Sequence, residues 1–158
     1  MRYSAVAVDY GGTISEPDVD PRLGQKPVAA DAVDALVALH DLRLRLVLVS
    51  NNEPHEDRLL ALRQAGVDQL FADLVLSQTG IGKPHPAFYR RAITACGVPA
   101  AQVLWVGNNL RNDVVGPLRH GVGAAALVGR PRPGEVLPRG ALVIGHVGEL
   151  PDLFRRWR

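Results

Sequence analysis

Short apolar runs alternate with helix-like periods along the chain. Short, mainly apolar runs lie at residues 4–9, 44–50, 74–77, 103–107 and 124–128, with a sixth candidate at 141–144. They are rich in Val and Leu and lack clean two-residue alternation, the pattern of strands covered on both faces. Between them, residues 27–41 carry Val33, Leu36, Val37 and His40 at helical spacing behind Pro27. Residues 54–65 form a second helical stretch that stops at Gly66. A third, 86–96, puts Tyr89, Ala92, Ile93 and Cys96 on one face and stops at Gly97. A fourth is expected over 112–120, with Pro117 forcing a kink or a late start. Strands alternating with helices predict an α/β fold: one doubly wound, Rossmann-like domain with a central parallel sheet of five to six strands. Residues 129–140, rich in Pro, Gly and Arg, read as a surface connection rather than a site.

Composition narrows the partners. At 158 residues the chain has the length of one domain with a sufficient core. Its 47% hydrophobic and 22% charged residues exclude disordered, collagen-like and coiled-coil classes. The net charge is +2, and 16 of the basic residues are Arg against two Lys. Those arginines are scattered apart from clusters at 130–139 and 155–158, without interleaved aromatics, so no nucleic-acid partner is expected. The single Cys96 forbids an internal disulfide and suits a reducing compartment. No apolar run approaches the ~20 residues of a membrane span. A cytoplasmic location and no membrane partner are the resulting expectations.

Ligands of such folds bind beyond the carboxyl ends of the strands. Asp9, Tyr10, Gly11, Gly12 and Thr13 follow the first strand, and Ser50, Asn51 and Asn52 follow the second. Gly80-Ile81-Gly82-Lys83-Pro84 lies beyond the third, and Gly107, Asn108, Asn109 and then Asp113 lie beyond the fourth. Two carboxylates beside a Gly-rich turn and a lysine make a plausible site for Mg²⁺ and a phosphate. Asp9, Asp113 and a backbone carbonyl suffice as protein ligands. Thr13 and Ser50 can donate to phosphate oxygens, and Lys83 offsets their charge. Gly11 and Gly12 permit close approach of the backbone. An Asp held against phosphorus can attack it and form an aspartyl-phosphate. Individually these residues have plainer readings: Ser50, Asn51 and Asn52 as helix caps, Lys83 as a solvated lysine, Asn108 and Asn109 as turn formers.

Together the four segments resemble the motifs of the haloacid dehalogenase-like superfamily. Asp9-Tyr10-Gly11-Gly12-Thr13 resembles the first motif, Ser50 the second, Lys83 in Gly82-Lys83-Pro84-His85-Pro86 the third, and Val106-Gly107-Asn108-Asn109 through Asn112-Asp113 the fourth. The resemblance spans about residues 4–128 and implies a Mg²⁺-dependent phosphatase. Asp9 is its implied nucleophile, with Lys83 as its catalytic partner. Gly12, Thr13, Ser50, Asn51 and Lys83 are the implied phosphate-binding set. Asp9, the Gly11 carbonyl, Asn108 and Asp113 are the implied metal ligands.

Two positions depart from that pattern. Gly11 stands where the family has a second Asp, which protonates the leaving oxygen and later activates water. Asn108 stands where the fourth motif begins with an acid. Three readings follow. One is a specialised phosphatase whose leaving group needs no proton, or in which Glu16 or Asp18 substitutes. His55 and His85 read as surface or capping residues. A second is dehalogenase or phosphonate-hydrolase chemistry, disfavoured because the chain leaves no room for the cap domain those relatives resemble. The third is a binding or regulatory protein that kept the fold. The expected architecture is capless. Its open site suits a phosphorylated small molecule, a bulky substrate, or closure by a second copy of the chain. Trp105 is expected in the core, and Trp157 is expected to dock the C-terminus or to contact a partner.

Overall fold

The computed structural model describes residues 2–77 and 80–158. Six parallel strands form one sheet in the order β3-β2-β1-β4-β5-β6. They are β1 (Ala5–Val8), β2 (Arg45–Ser50), β3 (Phe71–Leu76), β4 (Val103–Gly107), β5 (Ala124–Val128) and β6 (Ala141–Ile144). The helices are α1 (Ala30–Asp41), α2 (Arg58–Gln64), α3 (Pro86–Ala95), α4 (Gly116–Arg119) and α5 (Leu150–Arg156).

Side-chain alternation along the central strands splits the interior into two cores. Val6, Val8, Leu46, Leu48, Leu104 and Val106 face one side and meet Leu36, Leu39, Leu150 and Phe154. Ala5, Ala7, Val47, Val49 and Trp105 face the other and meet Phe88, Tyr89, Ala92 and Cys96. In the register, Ala7 pairs with Trp105. A small residue on β1 thereby leaves room for the large indole beside it.

The strand order puts the covered, apolar strands β1, β2 and β4 side by side. It places β1 between β2 and β4, with Val8 in register with both Leu48 and Val106. The segments after these three strands must therefore emerge side by side.

Several details differ from expectation. The third strand starts at Phe71 instead of 74, because an edge strand tolerates the exposed Ala72 and Asp73 that interrupt the apolar run. The buried stripe of α1 is Ala32, Ala35, Leu36 and Leu39. Val37 is 41% exposed, so the stripe is rotated from the expected one and led by alanines. Helix α2 begins at Arg58, where the Asp57 carboxylate accepts from Leu60 N at 3.0 Å, rather than at Pro54. The fourth helical segment is a wide π-type turn, Leu110–Val115, followed by α4. Pro117 lies in the first turn of α4, where a missing N–H costs little. A short helix the periodicity did not reveal, α5, closes the chain. Trp157 packs edge-on against Tyr3 and Phe154, each at 5.3 Å, which docks the C-terminus.

Between β1 and α1 the chain forms a small antiparallel flap through the Ser15–Val28 and Asp20–Gln25 bridges. No helix among the described residues is long and apolar enough to cross a membrane.

Candidate active site

The site forms where the loops after β1, β2 and β4 emerge together. Asp9 N donates to Val106 O at 2.9 Å, tying the first loop to the fourth strand. Gly12 has a φ of +71°, and a Cβ there would lie 2.3 Å from the Asn108 amide. Only glycine satisfies both demands.

Lys83 is the hub. Its side chain is buried, and Nζ donates to Asp9 Oδ1 at 3.0 Å, Asp113 Oδ1 at 2.8 Å and Val49 O at 2.9 Å. All three ammonium protons are used. Burial alone would lower its pKa, but the Asp113 and Asp9 carboxylates outweigh that and raise it, so the ammonium stays charged. Burial pushes Asp113 up to about 6, with Lys83 opposing the rise and Asp9 reinforcing it. Replacing a buried ion pair by apolar residues is often neutral or stabilising, whereas removing one partner costs about 3–5 kcal/mol. Such a cluster is a poor device for stability alone.

Asp113 is fixed from every side. Trp105 Nε1 donates to Oδ1 at 3.2 Å, and Asn109 N donates to Oδ2 at 3.2 Å. The wide turn brings it back onto the end of β4, where a Cβ on Gly107 would lie 2.2 Å from its Cγ. Tyr89 braces the turn through a 2.7 Å hydrogen bond from its hydroxyl to Asn112 O.

The Asn108 amide carries a second observation. One terminal atom of its amide lies 3.2 Å from both Gly11 O and Asp9 Oδ2. With nitrogen there, the amide donates to both acceptors. With oxygen there, three oxygens face one point, the arrangement a hard divalent cation requires. No cluster of three or more His, Cys, Asp or Glu suited to a metal occurs among the described residues. Any cation here would therefore rely on the Gly11 carbonyl and the Asn108 amide beside Asp9.

The expected phosphate-binding residues divide. Thr13 Oγ1 donates to Asp9 Oδ2 at 3.3 Å, and Thr13 and Ser50 are both buried. The Asn51 side chain is committed elsewhere: it donates to Lys83 O and accepts from Lys83 N, both at 2.8 Å. It clamps the lysine loop, so any contact of Asn51 with phosphate falls to its main chain. His85 caps α3, its Nδ1 accepting from Ala87 N at 3.0 Å. His55 lines a separate 810 Å³ cleft between α2 and β3, and Glu16 lines another with Asp31 and His146.

Arg58 was not singled out by any motif. It is 5% exposed and stacks on Tyr10 at 4.1 Å. Its Nε donates to Ser50 Oγ at 3.2 Å, and one Nη donates to Gln25 Oε1 at 2.9 Å and to Glu56 at 3.3 Å. A guanidinium only donates, so Ser50 accepts from it, and the Ser50 proton makes only a long 3.4 Å contact with Asn51 O. A buried arginine leaves no periodic signal; only its spacing of eight after Ser50 could have suggested it.

Residues 7–121 match the family model of the haloacid dehalogenase-like hydrolases. The phosphoserine phosphatase of Thermus thermophilus is 32% identical over 81% of this chain and 50% of its own length. The glyceraldehyde 3-phosphate phosphatase of Pyrococcus abyssi is 31% identical over 51% of this chain and 34% of its own. The chain thus spans between a third and a half of these relatives. A HAD-hydrolase of Bacillus subtilis, YfnB, solved bound to magnesium, shares the fold with a TM-score of 0.66 at 23% identity, over 80% of this chain and 55% of that one.

Proposed function

The chain belongs to the haloacid dehalogenase-like hydrolases, and from that membership we infer that it is a phosphohydrolase working through an aspartyl-phosphate at Asp9. The observation that carries this reading is the convergence of Asp9, Lys83, Asp113 and the Asn108 amide at one sheet edge.

Charge accounting supports a metal. Two carboxylates and one ammonium leave one net negative charge, which repels a phosphate dianion. Asp9, the Gly11 carbonyl and Asn108 fit a magnesium ion, with Asp113 adding charge behind Lys83. Bound there, the ion would supply positive charge against the phosphoryl oxygens.

Asp9 attacks phosphorus through a carboxylate oxygen, and the bond to the leaving oxygen breaks. Thr13 and Ser50 hold the phosphoryl oxygens, while Lys83, its three protons engaged by Asp9, Asp113 and Val49 O, offsets the charge that builds on them. Water then attacks the aspartyl-phosphate, releasing inorganic phosphate and regenerating Asp9. Gly11 supplies no proton, so the leaving group departs as its anion. Aryl and acyl phosphates, whose leaving oxygens are weak bases, are the substrates of choice.

The segments that could hold an inserted cap are taken up by the flap and α1, and by α2 and β3. We read the chain as a capless core with an open mouth. Gly11 also favours a second reading, a phosphate-binding protein without turnover. Assay of p-nitrophenyl phosphate with and without Mg²⁺ decides between them. Metal-dependent release of nitrophenol, abolished by Asp9→Asn, supports the hydrolase; phosphate binding without turnover supports the second.

A further inference from the structure

Two clefts are lined in part by residues of the site. One, of 370 Å³, holds Lys83. The other, of 220 Å³, opens beside Asn108 and is lined by Arg111, Arg130, Arg132, Glu135 and Leu127 among others. The sequence pattern reads the 129–140 segment as a mere connection. In the fold it returns from β5 to stand against the loop after β4.

We propose that this cleft binds a second anionic group of the substrate, a carboxylate or phosphate carried a few bonds from the phosphoryl group. The inference rests on the phosphohydrolase reading and names its substrate class. Three guanidinium groups face one carboxylate in the lining. That carboxylate is engaged locally: Glu135 Oε1 accepts from Arg132 N at 2.6 Å. None of the three arginines forms an ion pair among the described residues. Three positive charges against one negative leave the lining with a net charge of about +2, and all three arginines are exposed and free to fold onto a ligand. Planar guanidinium groups match carboxylate and phosphate oxygens in paired hydrogen bonds.

Asn108 links cleft and reaction centre. It lines the cleft, while one terminal atom of its amide is 3.2 Å from Asp9 Oδ2. A substrate whose phosphoryl group meets Asp9 can therefore reach the arginines with a short arm. With no cap in this reading, arginines on the core's own loops would supply the specificity.

The test uses non-hydrolysable probes with Mg²⁺ present. Affinities of methylphosphonate, phosphonoacetate and methylenebisphosphonate are measured by calorimetry on the wild-type chain and on the Arg130→Gln/Arg132→Gln double variant. The wild type should bind at least one of the two longer probes about tenfold tighter than methylphosphonate. Which one it prefers separates a carboxylate from a second phosphate. The double variant should lose that ratio. Equal affinities in the wild type, or a ratio that survives in the double variant, would overturn the proposal while leaving the Asp9 reading intact. Failure of all three probes to bind would overturn both.

Discussion

Gly11→Asp should convert this site into a general phosphomonoesterase. A Cβ built on Gly11 meets nothing within 4 Å, and Gly11 is not among the positive-φ residues. The new side chain can enter without displacing a neighbour. Contrast Gly12, one residue on, where a Cβ would collide with Asn108 at 2.3 Å. General acid–base catalysis is typically worth ~10²–10⁴-fold. The lower limit corresponds to about 2.7 kcal/mol of barrier. The gain should appear with alkyl phosphates, whose leaving oxygens need a proton, and be far smaller with p-nitrophenyl phosphate. The assay is phosphate release from both esters by wild type and Gly11→Asp, with Gly12→Asp as a control that should lose activity. If Gly11→Asp stays folded and still binds inorganic phosphate, yet alkyl-ester turnover does not rise, the absent acid is not what limits the enzyme.

Three further outcomes follow from the packing around the site. Trp105→Phe removes the indole donor to buried Asp113 and should cost about 1–3 kcal/mol in denaturant unfolding; an unchanged midpoint would show the bond to be idle. Arg58→Met should weaken inorganic phosphate binding in the wild type but much less in Ser50→Ala, a coupling of about 1 kcal/mol, because its effect passes through the Ser50 hydroxyl; additive losses would contradict that route. Burial pushes the Cys96 thiol up to about 11 from 9.0, and Arg45 only partly offsets it. The thiolate is the reactive form, so at pH 8 its population drops about a hundredfold, and thiol reagents should modify native Cys96 far more slowly than the unfolded chain; matching rates would refute this.

The parts of the fold that were legible share a physical cause. Central strands covered on both faces write apolar runs: β4 and β5 lie where those runs do, and β1 and β2 lie within one residue of theirs. Edge strand β3 is half solvated and so extends beyond its apolar run. Helix α1 hides its inner face in alanines, which carry little hydrophobic contrast, and α5 is too short to show a period. Asp9, Thr13, Ser50, Lys83, Asn108 and Asp113 could be named because they follow successive strands in the order of four motifs that the chain resembles, although each alone has a plain structural reading. Arg58, Trp105 and the cleft arginines could not, since their roles depend on contacts between segments far apart in the chain. The clamp of the Asn51 side chain on the lysine loop was not legible, because it joins residues 32 apart in the chain.

The central claim is that Asp9 carries the phosphoryl group. Mass spectrometry of the wild-type chain mixed with acetyl phosphate and Mg²⁺, then quenched in acid, tests it directly. One phosphoryl group should appear on the peptide containing Asp9, and none should appear on the Asp9→Asn chain. A phosphoryl group on another residue, or turnover that survives in Asp9→Asn, would contradict it.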